Sequence, residues 1–434
     1  MKMHNFISLI GAIALMGAAW LFSTNRKQLN WRVIAWGAGI QLALAAIVFL
    51  APASRELFLM LNSLTNKLLA AALRGAQFCF GYLSGGPAPF ETIKPQFGFI
   101  LAFQGLPSIL FFSALTAVLY YFRILPAIIQ LFGRVFSRLM RISGAEALSA
   151  SSNIFVGVES MLMIKPYING MTRSELCVVL TVGMATVASN VLLIYVLFLR
   201  DVFPTIAGHL ISASFLSAPA AIMMSKILLP ETKTPETMGK NIRAHVEKED
   251  NLFAAIISSS DSGARLVIGI ISLLIAVLGL AALTDIFLGW TGEQIGSWFN
   301  IKFELSLENI MGVIAYPFAL IMGIHPDDAR VAAKIIGSRT IITELAAYQN
   351  LAEAIRQNAF LHPRSIVIVS YALCGFSHIA SMAIFTGGAA ALAPGRTRDI
   401  SAVAFRALAA ATLACLMTGC MAGLFYRNDW PVLL

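Results

Sequence analysis

Residues 152–192 read SNIFVGVESMLMIKPYINGMTRSELCVVLTVGMATVASNVL, and residues 334–353 read KIIGSRTIITELAAYQNLAE. Both stretches are flanked by apolar residues, yet each carries a glutamate among small polar ones. Glu159 lies between Gly157, Val158 and Ser160, and Glu344 follows Gly337, Ser338, Thr340 and Thr343. A charge at membrane depth is costly and ordinarily faces a cavity or a partner. The same succession then follows each glutamate. The first leads to Arg173-Ser174 and an interrupted apolar run, TVGMATVASN at 181–190; the second leads to Arg364-Ser365 and YALCGFSHIASM at 371–382. The Arg-Ser pairs lie 191 positions apart and the glutamates 185. This internal repeat reads as a re-entrant hairpin followed by a broken helix, used twice. Such backbone is tolerable only where protein or a water-filled cavity satisfies its polar groups. Entered from opposite sides, the two units form the inverted-topology repeat that places a transporter's substrate near the bilayer midplane. The bland alternative is that both segments lie in the headgroup zone with their glutamates solvated.

The rest of the chain supports a membrane setting. Of 434 residues, 58% are hydrophobic and 12% charged, about half the charge of an average soluble domain, so lipid must be the solvent for most of the surface. Apolar runs of spanning length occur near 5–22, 32–51, 106–122, 176–198, 203–224, 266–288, 366–386 and 403–425, which predicts eight transmembrane helices. Arg26, Lys27 and Arg32 outweigh Lys2 across the first run, which favours a retained helix over a cleaved signal peptide. The remaining basic clusters, at Arg123–Arg141, Lys226–Arg265 and Arg396–Arg398, then fall on the cytoplasmic side, and both termini lie outside. The net charge of +9 is therefore topological and does not point to nucleic acid. Five scattered cysteines without a C-x-x-C pair read as small hydrophobes. Residues 231–262 form the one long polar segment, expected as a cytoplasmic linker with some amphipathic helix, and 54–78 suit an interfacial or bracing helix.

With these features in place, 152–192 resembles the first repeat of the concentrative nucleoside transporters. The resemblance continues through FQGLPSILFFSALTAVLYY at 103–121, GSRTIITELAAY at 337–348, RSIVIVSYALCGFSHIAS at 364–381 and CMAGLFY at 420–426, covering roughly 95–430. It implies an all-α polytopic protein of eight transmembrane helices and two opposed re-entrant hairpins, assembled as a homotrimer in the bacterial cytoplasmic membrane. It also implies a symporter in which a mobile domain carries nucleosides inward, driven by sodium, with protons as the alternative. No bound cofactor is implied. The expected division is 1–95 for N-terminal helices, 96–142 for a scaffold helix and connector, 143–225 for the first repeat, 226–326 for linker and scaffold, and 327–434 for the second repeat.

Carried over by residue, the resemblance implies a cation site from the Asn153 side chain, the Val156 carbonyl, the Thr186 hydroxyl and the Val187 carbonyl. Asn153 and Thr186 would equally serve as interhelical hydrogen-bonding residues. For the substrate it implies that Glu344 accepts ribose hydroxyls, that Ser381 assists and that Phe376 packs on sugar or base. Glu159 and Val191 would meet the nucleobase. Phe376 and His378 also fit plain packing roles. Two departures stand out. The hairpin tip reads Gly157-Val158-Glu159, one residue shorter than the family's G-Q-T/S-E and without its amide. His378 replaces the family's asparagine, and a histidine both hydrogen-bonds and titrates near neutrality, which opens proton coupling. The other readings are a proton-coupled permease for another polar metabolite, a passive channel and a membrane-embedded enzyme. The last has no H-E-x-x-H, G-x-S-x-G or P-loop behind it.

Overall fold

The structure, a computed structural model, describes residues 3–91, 99–157, 159–240, 242, 244, 249–299 and 305–427. Val158, the expected 95/96 boundary and part of the 231–262 linker lie outside the described residues. Within them the chain is helical, with one isolated bridge between Ser143 and Met238. Seven helical stretches are long and apolar enough to cross a membrane: Met3–Leu21, Trp31–Leu50, Leu101–Tyr121, Arg173–Leu199, Ile206–Leu228, Leu252–Ile295 and Pro394–Phe425. The eighth expected run, 366–386, is two short helices.

Helices α1 (Met3–Leu21), α2 (Trp31–Leu50) and α3 (Pro52–Phe80) are followed by α4 (Pro107–Tyr121) and the amphipathic α5 (Ile124–Met140). The first repeat begins with a hairpin, α6 (Gly144–Asn153) and α7 (Ser160–Ile164). A reciprocal capping box between Ser143 and Glu146 starts α6, satisfying two donors that would otherwise be orphaned inside the protein. All ten residues of α6, mostly Ala and Ser, are buried. Their small side chains let the hairpin sink into the bundle. Glu146 also pairs with buried Lys226 at 2.5 Å, so neither charge is stranded.

A second capping box, Thr172 with Glu175, opens α8 (Arg173–Ala185). That helix stops where Thr186 turns extended, and α9 (Ser189–Leu199) resumes after Ala188. Next come α10 (Ile206–Leu228) and α11 (Leu252–Phe299), a single helix of 48 residues. The expected linker is shorter than the sequence suggests, because its part from Leu252 onward is the first turns of α11. A helix without a sequence-level counterpart, α12 (Leu307–Ile321), then leads to the second hairpin, α13 (Pro326–Ile342) and α14 (Glu344–Arg356).

The hairpin turns on Thr343 alone, at φ 135° and ψ 161°, a conformation that costs a non-glycine residue about 1–3 kcal/mol. The second broken helix is α15 (Pro363–Leu373) and α16 (Ile379–Leu392), and α17 (Thr397–Phe425) closes the fold. Between α15 and α16, Gly375 has φ +143°, a region essentially reserved for glycine. A Cβ there would meet the Ala185 carbonyl oxygen at 2.7 Å and Cys415 Sγ at 2.6 Å. The two helix breaks therefore touch. In the surrounding bundle α1 packs on α17 and α2 on α10, while α4 packs along α11.

Candidate functional site

Glu344 is the first residue of α14, delivered to the hairpin tip by the turn at Thr343, and is buried. Its Oε1 accepts a hydrogen bond from the Tyr195 hydroxyl at 3.0 Å. Its Oε2 lies 2.5 Å from His378 Nε2. His378 caps α16, with Nδ1 accepting the Ser381 backbone N–H at 3.2 Å. In a neutral imidazole that leaves the proton on Nε2, which faces both the Glu344 carboxylate and Ser381 Oγ at 2.7 Å. A carboxylate has about four acceptor sites. Tyr195, His378 and the backbone at Glu344 already engage it, and the remaining acceptor capacity is open to a ligand's donors.

These groups open onto a cavity of about 90 Å3. Glu159, Val191, Glu344, Phe376, His378 and Ser381 all line it. The structure thus brings together all of the expected substrate residues that it describes. The cavity joins a larger one of about 960 Å3 at Gly157, Glu159 and Asn190, which line both. The larger cavity runs between the first hairpin and a wall of α4, α5 and α11 that includes Thr116, Tyr120, Arg134 and Ser259. Glu159 thus stands in the wall common to the two cavities.

The expected cation ligands cluster where the first hairpin meets the break between α8 and α9. The Ser189 N–H donates to the Phe155 carbonyl at 3.2 Å, and Ser214 Oγ lies 3.3 Å from the Ile154 carbonyl and 3.4 Å from that of Val187. Asn153, Val156, Thr186 and Val187 are buried. The Asn153 amide nitrogen donates to the Ser149 carbonyl at 2.9 Å, while its Oδ1 has no partner. Thr186 Oγ1 donates to the Val182 carbonyl at 2.9 Å, leaving its lone pairs free to accept. An unpaired buried acceptor costs about 1–3 kcal/mol. Neutral oxygens at a helix break offer a small monovalent cation a suitable donor set.

Sequence reasoning missed four residues. Tyr195 holds Glu344 and stacks on Tyr348 at 4.4 Å, but a tyrosine inside an apolar run looks like packing. Ser214 draws two carbonyls of the cation region together. Asn190 brings an amide, with an unpartnered Oδ1, into the wall shared by both cavities; its place next to Val191 was the available signal. Arg339 is wholly buried in α13, with Nη1 donating to the Ala372 carbonyl at 2.5 Å. That carbonyl ends α15, where the helix dipole favours a cation.

Three family domains match the chain: "Na+ dependent nucleoside transporter N-terminus" over 10–83, "Nucleoside recognition" over 102–201 and "Na+ dependent nucleoside transporter C-terminus" over 209–423. The nucleoside permease NupC of Helicobacter pylori is 33% identical over 98% of this chain and 99% of its own. The chain belongs to the concentrative nucleoside transporter family. The transporter is also 34% identical to solute carrier family 28 member 3 of mouse, over 99% of this chain and 60% of the mouse protein. It thus spans about 60% of the length of that animal relative and nearly all of the bacterial one. Among solved structures it is similar to CNTnw in an inward-facing substrate-bound state, with TM-score 0.87 and 34% identity over 98% of both chains. A CNTnw variant in an outward-facing state gives 0.88 at 33% identity, again over 98% of both. The transporter is accordingly an all-helical, multi-span membrane protein and not an enzyme.

Proposed function

We propose that this transporter is a symporter importing nucleosides across a bacterial cytoplasmic membrane by alternating access, with sodium as the coupling ion. The observation that carries this reading is the Glu344–His378–Ser381 cluster, facing a cavity whose wall also takes in Ala188 at the α8–α9 break. Glu344 accepts the ribose hydroxyls, Ser381 and His378 orient them, and Phe376 covers the sugar. Glu159, Val158 and Val191 meet the base, with Asn190 supplying the amide absent from the shortened hairpin tip. Asn153, the Val156 and Val187 carbonyls and Thr186 hold the ion. Ion and nucleoside raise each other's affinity by the same factor, and their joint occupancy biases the moving domain.

In this reading the two broken helices each count as one crossing, giving eight, with both termini outside. The repeats at 143–225 and 327–434 move against α4 and α11. The apolar face of α11, where Ile268, Ile275 and Ile286 are exposed, belongs to the scaffold of a homotrimer. Light scattering on the purified protein is expected to return three chains per particle, and a monomer refutes this assembly.

The contact between His378 and Glu344 favours one second reading, proton coupling through that pair. The deciding experiment is uridine and adenosine uptake into proteoliposomes under an inward sodium gradient, an inward proton gradient or neither. Accumulation under sodium alone supports the reading, accumulation under protons alone moves coupling to His378, and none under either rejects nucleoside symport. Glu344→Gln is expected to abolish uptake in correctly inserted protein, and normal uptake by this variant removes Glu344 from the site.

A further inference from the structure

At the face of the bundle where α1, α13 and α15 begin lies a second cluster, at the opposite ends of α13 and α15 from the cavity residues. His325, Asp327 and His362 each turn one potential ligand atom into the same space, all within 4.8 Å of one another. The rings of His325 and His362 stack at 3.7 Å with 20° between their planes, and the His4 ring lies 5.2 Å from that of His325.

Two details make this more than a surface coincidence. First, wholly buried Asp328 accepts the Leu361 N–H at 2.8 Å and the His362 N–H at 3.2 Å, and its Oδ2 lies 3.1 Å from His362 Nδ1. A carboxylate holding one imidazole nitrogen fixes the tautomer and leaves Nε2 as a free lone pair, the outer-shell arrangement of metal-bound histidines. Second, His325 Nδ1 accepts the Asp327 N–H at 3.5 Å while lying 3.2 Å from Asp327 Oδ2. Two acceptors facing each other repel unless a proton or a cation lies between them. His4 adds a buried Nδ1 with no partner.

We propose that His325, Asp327 and His362 bind one Zn2+-class transition-metal ion, with His4 or water completing the shell. Two imidazoles and one carboxylate suit the tetrahedral preference of zinc and are a poor match for the all-oxygen shells of calcium or magnesium. The Asp327 and Asp328 charges offset the ion against Arg364, whose guanidinium donates to the His4 and Gly323 carbonyls. With side chains 30%, 58% and 38% exposed, the site exchanges with solution. A bound ion ties the root of the second hairpin to the start of the broken helix that follows it.

The test uses the full, untagged chain after chelator treatment, titrated with Zn2+ alone and with Mg2+ alone by calorimetry at neutral pH. One saturable Zn2+ site and no Mg2+ site are expected. His362→Ala and Asp327→Asn are each expected to weaken Zn2+ by at least about tenfold. Co2+ is expected to give a tetrahedral visible spectrum with the native protein and none with His362→Ala. His325→Gln, at a partly exposed position, gives an independent variant should either of the others fold poorly. Absence of a saturable site, or unchanged affinity in correctly folded variants, overturns the proposal. Either result leaves the reading of the transport site untouched, because no nucleoside is present.

Discussion

Glu344 shows what a single carboxylate needs in order to wait inside a membrane protein. Both of its oxygens are met, one by Tyr195 and one by His378, and removing a partner strands charge in a medium that penalises it. Tyr195→Phe deletes a hydrogen bond to a charged group, worth about 1.5–3 kcal/mol. Nucleoside affinity measured by equilibrium binding is expected to fall on the order of 10–100-fold, with cation affinity measured alone little changed. Equal nucleoside binding by the variant makes Tyr195 a packing residue. Glu344 was legible in the sequence because a carboxylate inside an apolar run demands a reason, whereas Ser381 and His378 were picked out through the family resemblance. Tyr195, Asn190 and Ser214 were not, since each type also occurs as ordinary packing or interhelical glue, and only distance tells the uses apart.

Among elements, the paired helix breaks are the feature on which both half-sites depend. The α8–α9 break presents Thr186 and Val187, the α15–α16 break presents Phe376 and His378, and Gly375 seats one against the other. Gly375→Ala combines about 1–3 kcal/mol of backbone strain with contacts of 2.6 and 2.7 Å to Cys415 Sγ and the Ala185 carbonyl. A lowered melting temperature and loss of both nucleoside and cation binding are expected, whereas retained cation binding indicates that the breaks act independently. Gly183 enforces a similar closeness nearby, where an added Cβ would lie 2.3 Å from the Phe385 ring. The breaks could be read in advance from their small and polar residues. Helix α12 escaped notice because 15 residues are too few for a spanning pattern. The start of α11 lies in the stretch expected as a linker with some amphipathic helix, on the strength of its mixed charges, Pro and Ser run; Ser259 Oγ bonds the Ser113 carbonyl at 2.8 Å and holds those turns against α4.

Over the whole molecule, composition settled the solvent and the repeat settled the general architecture. Which helices pair could not be read, because the packing of α1 on α17 and of α4 on α11 joins segments far apart in the chain. The pair α4 and α11 stands out at this scale, because the apolar window of α11 is only 6% buried by the rest of the chain. At 1.5 Å per residue, the 48 residues of α11 run about 72 Å, more than twice the roughly 30 Å hydrocarbon core of a bilayer. Such a rod leans within that core or protrudes from it, and mismatch between its apolar stretch and the bilayer costs fractions of a kcal/mol per ångström. Since α11 also lines the large cavity through Ser258, Ser259 and Ser262, a change in its inclination would move that wall. Uptake rates in vesicles of graded acyl-chain length are therefore expected to pass through a maximum, and a flat profile would show that the rod's lean is fixed by protein alone. The helix that walls the large cavity is thus also one that the rest of the chain leaves almost wholly to the membrane around it.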